Sequence, residues 1–90
     1  MKNEEDIKRV FRKRLRELRK AKGVTQAKAA EGIGVVASGY QFYEAGTKSP
    51  GLVTLYRIAD YFNVPADYLL GRTDVPQILS RRRTVVKLKA

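Results

Sequence analysis

The chain has 90 residues without cysteine or histidine, which excludes disulfides, thiolate or imidazole metal ligands and catalysis by a Ser-His-Asp triad. The hydrophobic content of 43% is typical of a small globular domain, and no apolar run approaches the roughly 20 residues of a membrane span. The acidic start lacks the apolar core of a signal peptide, so we expect a cytoplasmic protein without cofactor or membrane association; its net charge of +10 favours a polyanionic partner.

The first predicted element is a helix over residues 5–22, with Asn3 as N-cap and Gly23 at its end. Its apolar residues recur at spacings of three and four, which is typical of a helix with one buried face. They are Ile7, Val10, Phe11, Leu15, Leu18 and Ala21 or Lys22. Residues 8–28 hold ten Lys or Arg and one acid, so this part of the chain carries a net charge of +9.

Two short helices follow, over residues 26–33 and 37–45. Thr25 is the expected cap of the first, and Gly34 is the expected turn between them because glycine adopts a left-handed backbone without a steric cost. Gly46 ends the second helix. The inward residues of this pair are predicted to be Ala29, Ala30, Ile33, Tyr40 and Tyr43. The stretch from Gly34 to Gly46 contains no Lys or Arg, and its one charge is Glu44.

A fourth helix is predicted over residues 50–62, with Ser49 as its cap and Pro50 as its first residue. A fifth runs from Pro65 through Leu70. The inward residues of the fourth helix are predicted to be Leu52, Leu55, Tyr56, Ile58, Ala59 and Phe62. Connections of two to five residues between the elements are normal for a helical bundle.

Residues 72–90 lack this helical pattern and form a basic C-terminal tail, in which residues 77–90 carry a net charge of +5. Three structures stay open for residues 77–90: a strand, a basic disordered tail or a dimerisation arm. The alternation within residues 84–88 is enough for a short strand, which could pair across a dimer. Arg81, Arg82 and Arg83 are candidates for contacts with a DNA backbone or minor groove.

Residues 15–71 resemble the phage-repressor/Cro-like (Xre) helix-turn-helix family. The resemblance lies in "LRELRKAKGVTQ", in "YEAGTKSP", in the ending "LYRIADYFNVPADYLLG", and in the spacing of Ala30, Gly34 and Tyr40. It implies an all-α fold: a compact five-helix lambda-repressor-like DNA-binding domain, usually a dimer on a palindromic operator. Residues 1–14 then form the N-terminal part of an extended first helix, and residues 72–90 lie beyond the domain.

The resemblance also implies roles for individual residues. Gln26 matches a phosphate-binding Gln at the start of the second helix, and Arg19 and Glu44 match a pair that joins the first helix to the third. Lys28 and Lys48 could contact phosphates or could simply be solvated surface charges. The positions that face the major groove are Ala37, Ser38, Gly39, Gln41 and Phe42. Among their side chains, Gln can bind adenine in a bidentate manner, Ser can bind several bases, and Ala or Phe can meet a thymine methyl.

Two functional hypotheses follow. In the first, the chain is a DNA-binding transcriptional regulator, such as a repressor, that binds double-stranded DNA as a homodimer. In the second, the apolar face around Phe42 docks a protein partner, as in an antirepressor-like module. The sequence does not favour an enzyme, because it shows no paired catalytic carboxylates and no phosphate-binding Gly loop.

Overall fold

The structure, a computed structural model, describes residues 3–78 and contains five α-helices. They are α1 (Glu4–Lys22), α2 (Gln26–Ile33), α3 (Ala37–Ala45), α4 (Leu52–Phe62) and α5 (Ala66–Leu69). Residues 3–78 contain no strand, so the expected all-α, five-helix architecture is confirmed. None of these helices is both long and apolar enough to cross a membrane.

Local hydrogen bonds define where the first two helices begin. The Asn3 Oδ1 atom accepts a hydrogen bond from the Asp6 backbone N–H at 2.9 Å, and Thr25 Oγ1 accepts one from the Lys28 N–H at 3.1 Å. Both predicted N-caps are therefore confirmed. α1 ends at Gly23, whose φ of 77° requires the left-handed conformation that glycine adopts readily.

The core lies where α1, α2, α3 and α4 converge, and α5 closes one end. Tyr40, Leu15, Ile58 and Leu69 are its largest fully buried side chains. The remaining buried hydrophobic residues are Phe11, Ala29, Ala30, Ile33, Ala59 and Val64. Because Tyr40 of α3 is part of this core, the opposite side of α3 is directed outward.

The prediction for the fourth helix was wrong at its start and on part of its face. α4 begins at Leu52 and not at residue 50, because Gly51 is still extended, with φ of −75° and ψ of −179°. Leu52 and Tyr56 are 84% and 71% exposed. The rest of the predicted face is confirmed: Ile58 and Ala59 are buried in the core, and Leu55 and Phe62 pack against it. α5 similarly begins at Ala66, after an extended Pro65.

The two ends of the predicted apolar stripe on α1 are also more exposed than expected. Ile7 is 38% exposed, and Ala21 and Lys22 lie on the surface. α1 has 19 residues, whereas the helices packed against it have at most 11, so its ends extend past the bundle. Only its middle, around Phe11 and Leu15, is fully covered.

Candidate nucleic-acid interface

The turn between α2 and α3 sets the position of α3. Gly34 has a φ of 95°, and the backbone N–H groups of Gly34 and Val35 both donate to the Ala30 carbonyl. Ala30 itself is only 1% exposed, which allows the two helices to approach closely. The small residue and the glycine of the helix-turn-helix spacing therefore lie where the two helices meet.

A buried carboxylate fixes α3 against α1 and α2. Glu44 is 3% exposed, and Arg19 binds it in a bidentate manner, with Nε donating to Oε2 at 2.6 Å and Nη2 to Oε1 at 3.2 Å. The Tyr40 hydroxyl donates to Oε2 at 2.6 Å, and the Gln26 Nε2 donates to Oε1 at 2.9 Å. Arg19 also donates to the Val24 carbonyl, which ties the end of α1 to the same cluster. These four side chains, Arg19, Gln26, Tyr40 and Glu44, are called the Glu44 network below.

The network shifts the pKa values of its members in the direction of a stable ion pair. Burial by itself would raise the pKa of Glu44, but hydrogen bonds from Arg19, Tyr40 and Gln26 outweigh it and hold that pKa below its ordinary value. The hydrogen bond to Glu44 raises the pKa of Arg19. Burial, followed by the bond to Glu44, raises the pKa of the Tyr40 hydroxyl. Around neutral pH the network is thus an arginine–carboxylate pair with a neutral tyrosine.

Gln26 has a structural contact that sequence reasoning did not anticipate. Its amide donates one hydrogen bond to Glu44, and the residue is the first of α2. The amide nitrogen carries a second N–H, so the bond to Glu44 leaves a donor available. A phosphate contact by Gln26 therefore stays a prediction, now with the amide anchored in the Glu44 network.

The outer side of α3 carries the residues predicted to face the major groove. Ala37, Ser38 and Gln41 are exposed, Gly39 is half-buried against Val36, and Phe42 is 40% exposed. Within the part of the chain that the structure describes, the Ser38 and Gln41 side chains have no hydrogen-bond partner. Ser38 and Gln41 therefore lie on the outer side of a helix that is packed into the core, and the hydrogen-bond donors and acceptors of their side chains are unused within the described residues.

The loop after α3 folds back onto its last turn. The Phe42 carbonyl accepts hydrogen bonds from the backbone N–H groups of Gly46, Thr47 and Lys48, and from the Thr47 hydroxyl at 3.4 Å. This places the Lys48 Nζ atom 4.9 Å from the centre of the Phe42 ring. A predicted phosphate-binding residue and a predicted base-facing residue are thus in direct contact.

The remaining predicted phosphate contacts fall in different places. Lys28 is exposed on α2, and its Nζ lies 3.7 Å from a Glu31 carboxylate oxygen in an exposed pair, which contributes little. Arg81, Arg82 and Arg83 lie outside the described residues, as does the possible strand at 84–88.

One cation of α1, Arg14, forms structural contacts with the end of the domain. The Arg14 guanidinium stacks 4.2 Å from the Tyr68 ring centre, and its Nη1 donates to the Tyr68 and Thr73 carbonyls. Its Nη2 donates to Asp74 at 2.7 Å. Sequence reasoning missed this role because the partners are more than 50 residues away, and nothing in the local pattern separates Arg14 from its exposed neighbours.

The described part of the chain contains no candidate metal site. Residues 3–78 contain no group of three or more His, Cys, Asp or Glu side chains arranged to hold an ion.

Comparison with known proteins places the fold in a family. A family model described as helix-turn-helix matches residues 15–69. The chain is 41% identical over 76 residues to the HTH-type transcriptional regulator YobD of Bacillus subtilis, a match that covers 84% of this chain and 68% of YobD. It is 38% identical over 63 residues to the HTH-type transcriptional regulator ImmR of Bacillus subtilis, covering 70% of this chain and 50% of ImmR.

A phage repressor is also among the relatives. The cryptic phage CTXphi transcriptional repressor RstR of Vibrio cholerae is 35% identical over 65 residues, covering 72% of this chain and 59% of RstR. The chain thus spans between half and about two thirds of the length of these three relatives. No solved structure matches at comparable significance. The match over residues 15–69 confirms the resemblance seen in the sequence: the chain belongs to the Xre-like helix-turn-helix family.

Proposed function

We propose that this chain is a sequence-specific DNA-binding transcriptional regulator, acting as a repressor, that inserts α3 into the major groove. The family to which it belongs consists of DNA-binding proteins and not of enzymes. The relatives compared above are named as transcriptional regulators, and one is a phage repressor. Its site of action is then the DNA of a bacterial cytoplasm.

The observation that carries the proposal is the presence of Ser38 and Gln41 on the outer side of α3 without hydrogen-bond partners in the described structure. A recognition helix needs polar groups that face outward on a scaffold that does not move. The Glu44 network and the buried Tyr40 provide that scaffold. Gln41 is the candidate for adenine, and Ser38 for a neighbouring base, with Ala37 and Gly39 allowing close approach.

Affinity in this proposal comes from cations around the helix and not from the helix itself. Phosphate contacts supply a large part of the binding free energy in protein–DNA complexes. The proposed contacts involve Gln26, Lys28 and Lys48, together with Arg81, Arg82 and Arg83 of the tail. The absence of Lys and Arg from α3 is compatible with this division, because base contacts specify a site while phosphate contacts position the protein.

Lys48 also weighs against the protein-docking alternative. That alternative needs an apolar surface around Phe42, whereas the Lys48 ammonium lies over the Phe42 ring. A cation at this position favours a polyanion over an apolar partner.

We further propose a homodimer on a palindromic operator, because a two-fold symmetric protein reads two half-sites about one helical turn apart. This part rests on the family resemblance.

A salt series tests the proposal. Affinity for a duplex of random sequence is measured between about 50 and 200 mM salt. We expect binding to weaken steeply, with log K falling linearly against log salt. Binding that is absent at low salt, or that does not respond to salt, would contradict the proposal.

A further inference from the structure

Phe42 lies on the side of α3 that is proposed to face bases, and the Lys48 ammonium lies over its ring. The Lys48 Nζ atom is 4.9 Å from the ring centre, within the roughly 6 Å over which a cation is attracted to an aromatic face. Phe42 is 40% exposed, so the ring is also accessible from the solvent.

The backbone between the two residues holds this contact in place. Three consecutive N–H groups, from Gly46 to Lys48, converge on the Phe42 carbonyl, at 3.0, 3.1 and 3.4 Å. Gly46 has a φ of 84°, and this left-handed residue turns the chain back toward α3. Lys48 therefore starts from a fixed backbone position beside Phe42.

A lysine held in this way has lost part of its freedom before it meets a ligand. Lys is among the side chains with the highest rotamer entropy, and immobilising such a side chain at an interface weakens binding by about two- to tenfold if the order is not already present. An aromatic ring beneath the ammonium supplies that order without neutralising the charge, whereas a carboxylate partner would neutralise it. The described residues place no acidic group in an ion pair with Lys48; the ring is its recorded side-chain partner.

From this geometry we infer that Phe42 is a positioning residue for Lys48: its ring orients the ammonium toward a DNA phosphate and does not itself select a base. The inference rests on the proposed function and refines it. It moves Phe42 from the residues that read sequence to those that set affinity for any duplex. Sequence reading by α3 is then left to Ser38 and Gln41, with the small residues Ala37 and Gly39.

A double-mutant cycle tests the inference on the full chain. Phe42→Leu keeps an apolar side chain that could still meet a thymine methyl, but it removes the aromatic face. We expect Phe42→Leu to weaken binding by about two- to tenfold, and by the same factor on a preferred duplex and on a random one. In the Lys48→Met background the same substitution should change affinity by less than about twofold.

Two variants serve as controls. In the Lys28→Met background, where a different lysine is removed, Phe42→Leu should keep its full effect. Phe42→Tyr keeps the ring and should bind within about twofold of the wild type. Circular dichroism of each variant establishes that the helices are intact.

Proton NMR reads the contact directly in the free protein. The ring should shift the ε-methylene protons of Lys48 upfield of those of an exposed lysine such as Lys28, and Phe42→Leu should abolish the shift of Lys48 but not that of Lys22, which lies over Tyr61. Equal effects of Phe42→Leu with and without Lys48, a loss confined to the preferred duplex, or ordinary Lys48 shifts in the wild type would each overturn the inference. These results leave wild-type DNA binding intact, whereas a wild type that binds no duplex overturns the proposed function itself.

Discussion

At the scale of single residues, two glycines inside helices have opposite surroundings. A Cβ added to Gly32 of α2 would lie 2.8 Å from Cδ1 of the Tyr61 ring and closer still to Cε1. The half-buried ring has Lys22 over one face and Phe62 edge-on against it, so moving it aside would disturb both contacts. A Cβ added to Gly39 of α3 would meet only Val36 Cγ2, at an ordinary 3.5 Å.

Alanine at these two positions should therefore have opposite effects. Gly32→Ala should lower the free energy of unfolding by about 1–3 kcal/mol, because the added methyl group overlaps the Tyr61 ring and forces it to move. Gly39→Ala should raise it by up to about 1 kcal/mol, since alanine is the better helix former. Urea unfolding of both variants measures the difference. Stabilisation by alanine at both positions would show that Tyr61 moves aside at little cost.

A second prediction at the scale of residues concerns Glu44 and the loss of stability in acid. Its pKa is held below the unfolded value, so the ionised carboxylate stabilises the fold above the unfolded pKa, and this stabilisation is lost as the pH falls through the folded pKa. Glu44→Gln should lower the free energy of unfolding at pH 7 by about 3 kcal/mol, and the difference from the wild type should shrink below about pH 5.

Glu31→Gln is the matched control for this change. Glu31 is a highly exposed glutamate whose only recorded ion pair in the described structure is the weak one with Lys28. The Glu31→Gln substitution should leave both the free energy of unfolding at pH 7 and its dependence on pH nearly unchanged. Parallel loss of stability in acid by the wild type and Glu44→Gln would contradict the role assigned to the carboxylate.

At the scale of elements, α1 holds the segment that follows α5. Arg14 donates to carbonyls of Tyr68 and Thr73 and to the Asp74 carboxylate, so it joins the middle of α1 to the chain after Gly71. The side chain is 17% exposed, which makes these contacts stronger than those of a surface arginine.

Arg14→Lys should release this segment while leaving the charge in place, because lysine cannot form the same fork of hydrogen bonds. We expect the amides of Arg72 and Val75 to exchange with solvent about ten- to a hundredfold faster, since a hydrogen bond to a charged group contributes about 1.5–3 kcal/mol. Hydrogen exchange followed by NMR measures this, with Arg16→Lys on the exposed side of α1 as control. Unchanged exchange in Arg14→Lys would show that other contacts hold the segment.

The helices also show which structural features could be predicted from the sequence alone. The caps at Asn3 and Thr25 were predictable because each bond joins residues three apart. Leu52 and Tyr56 were not, because periodicity identifies an apolar face but not whether another helix covers it. The contacts of Gly32 with Tyr61 and of Arg14 with Tyr68 join distant parts of the chain, so neither could be inferred from local pattern.

The candidate site was also predictable only in part from the sequence. Its expected location on α3 came from the family resemblance of residues 15–71, to which the spacing of Ala30, Gly34 and Tyr40 contributes. The link between Gln26 and Glu44, and the contact of Lys48 with Phe42, depend on side-chain positions that only the folded structure supplies.

At the scale of the whole molecule, the proposed base-reading residues and most of the positive charge lie on different elements. α3 is uncharged apart from the buried Glu44. Most of the cations in residues 3–78 lie on α1. Others lie at Lys28 of α2, Lys48 of the loop after α3, Arg57 of α4 and, by sequence, in the tail. Such a molecule should bind any DNA through its charge and distinguish sequences through a few neutral side chains.

Binding-site selection with sequencing tests this account most directly, with the wild type and Gln41→Ala selected in parallel and Gln77→Ala as an exposed-glutamine control. We predict that the wild type and Gln77→Ala enrich the same inverted repeat, and that Gln41→Ala loses base preference at one position of each half-site while still binding duplex DNA. A wild type that enriches no sequence, or a Gln41→Ala variant with an unchanged preference at every position, would contradict the claim that α3 reads DNA.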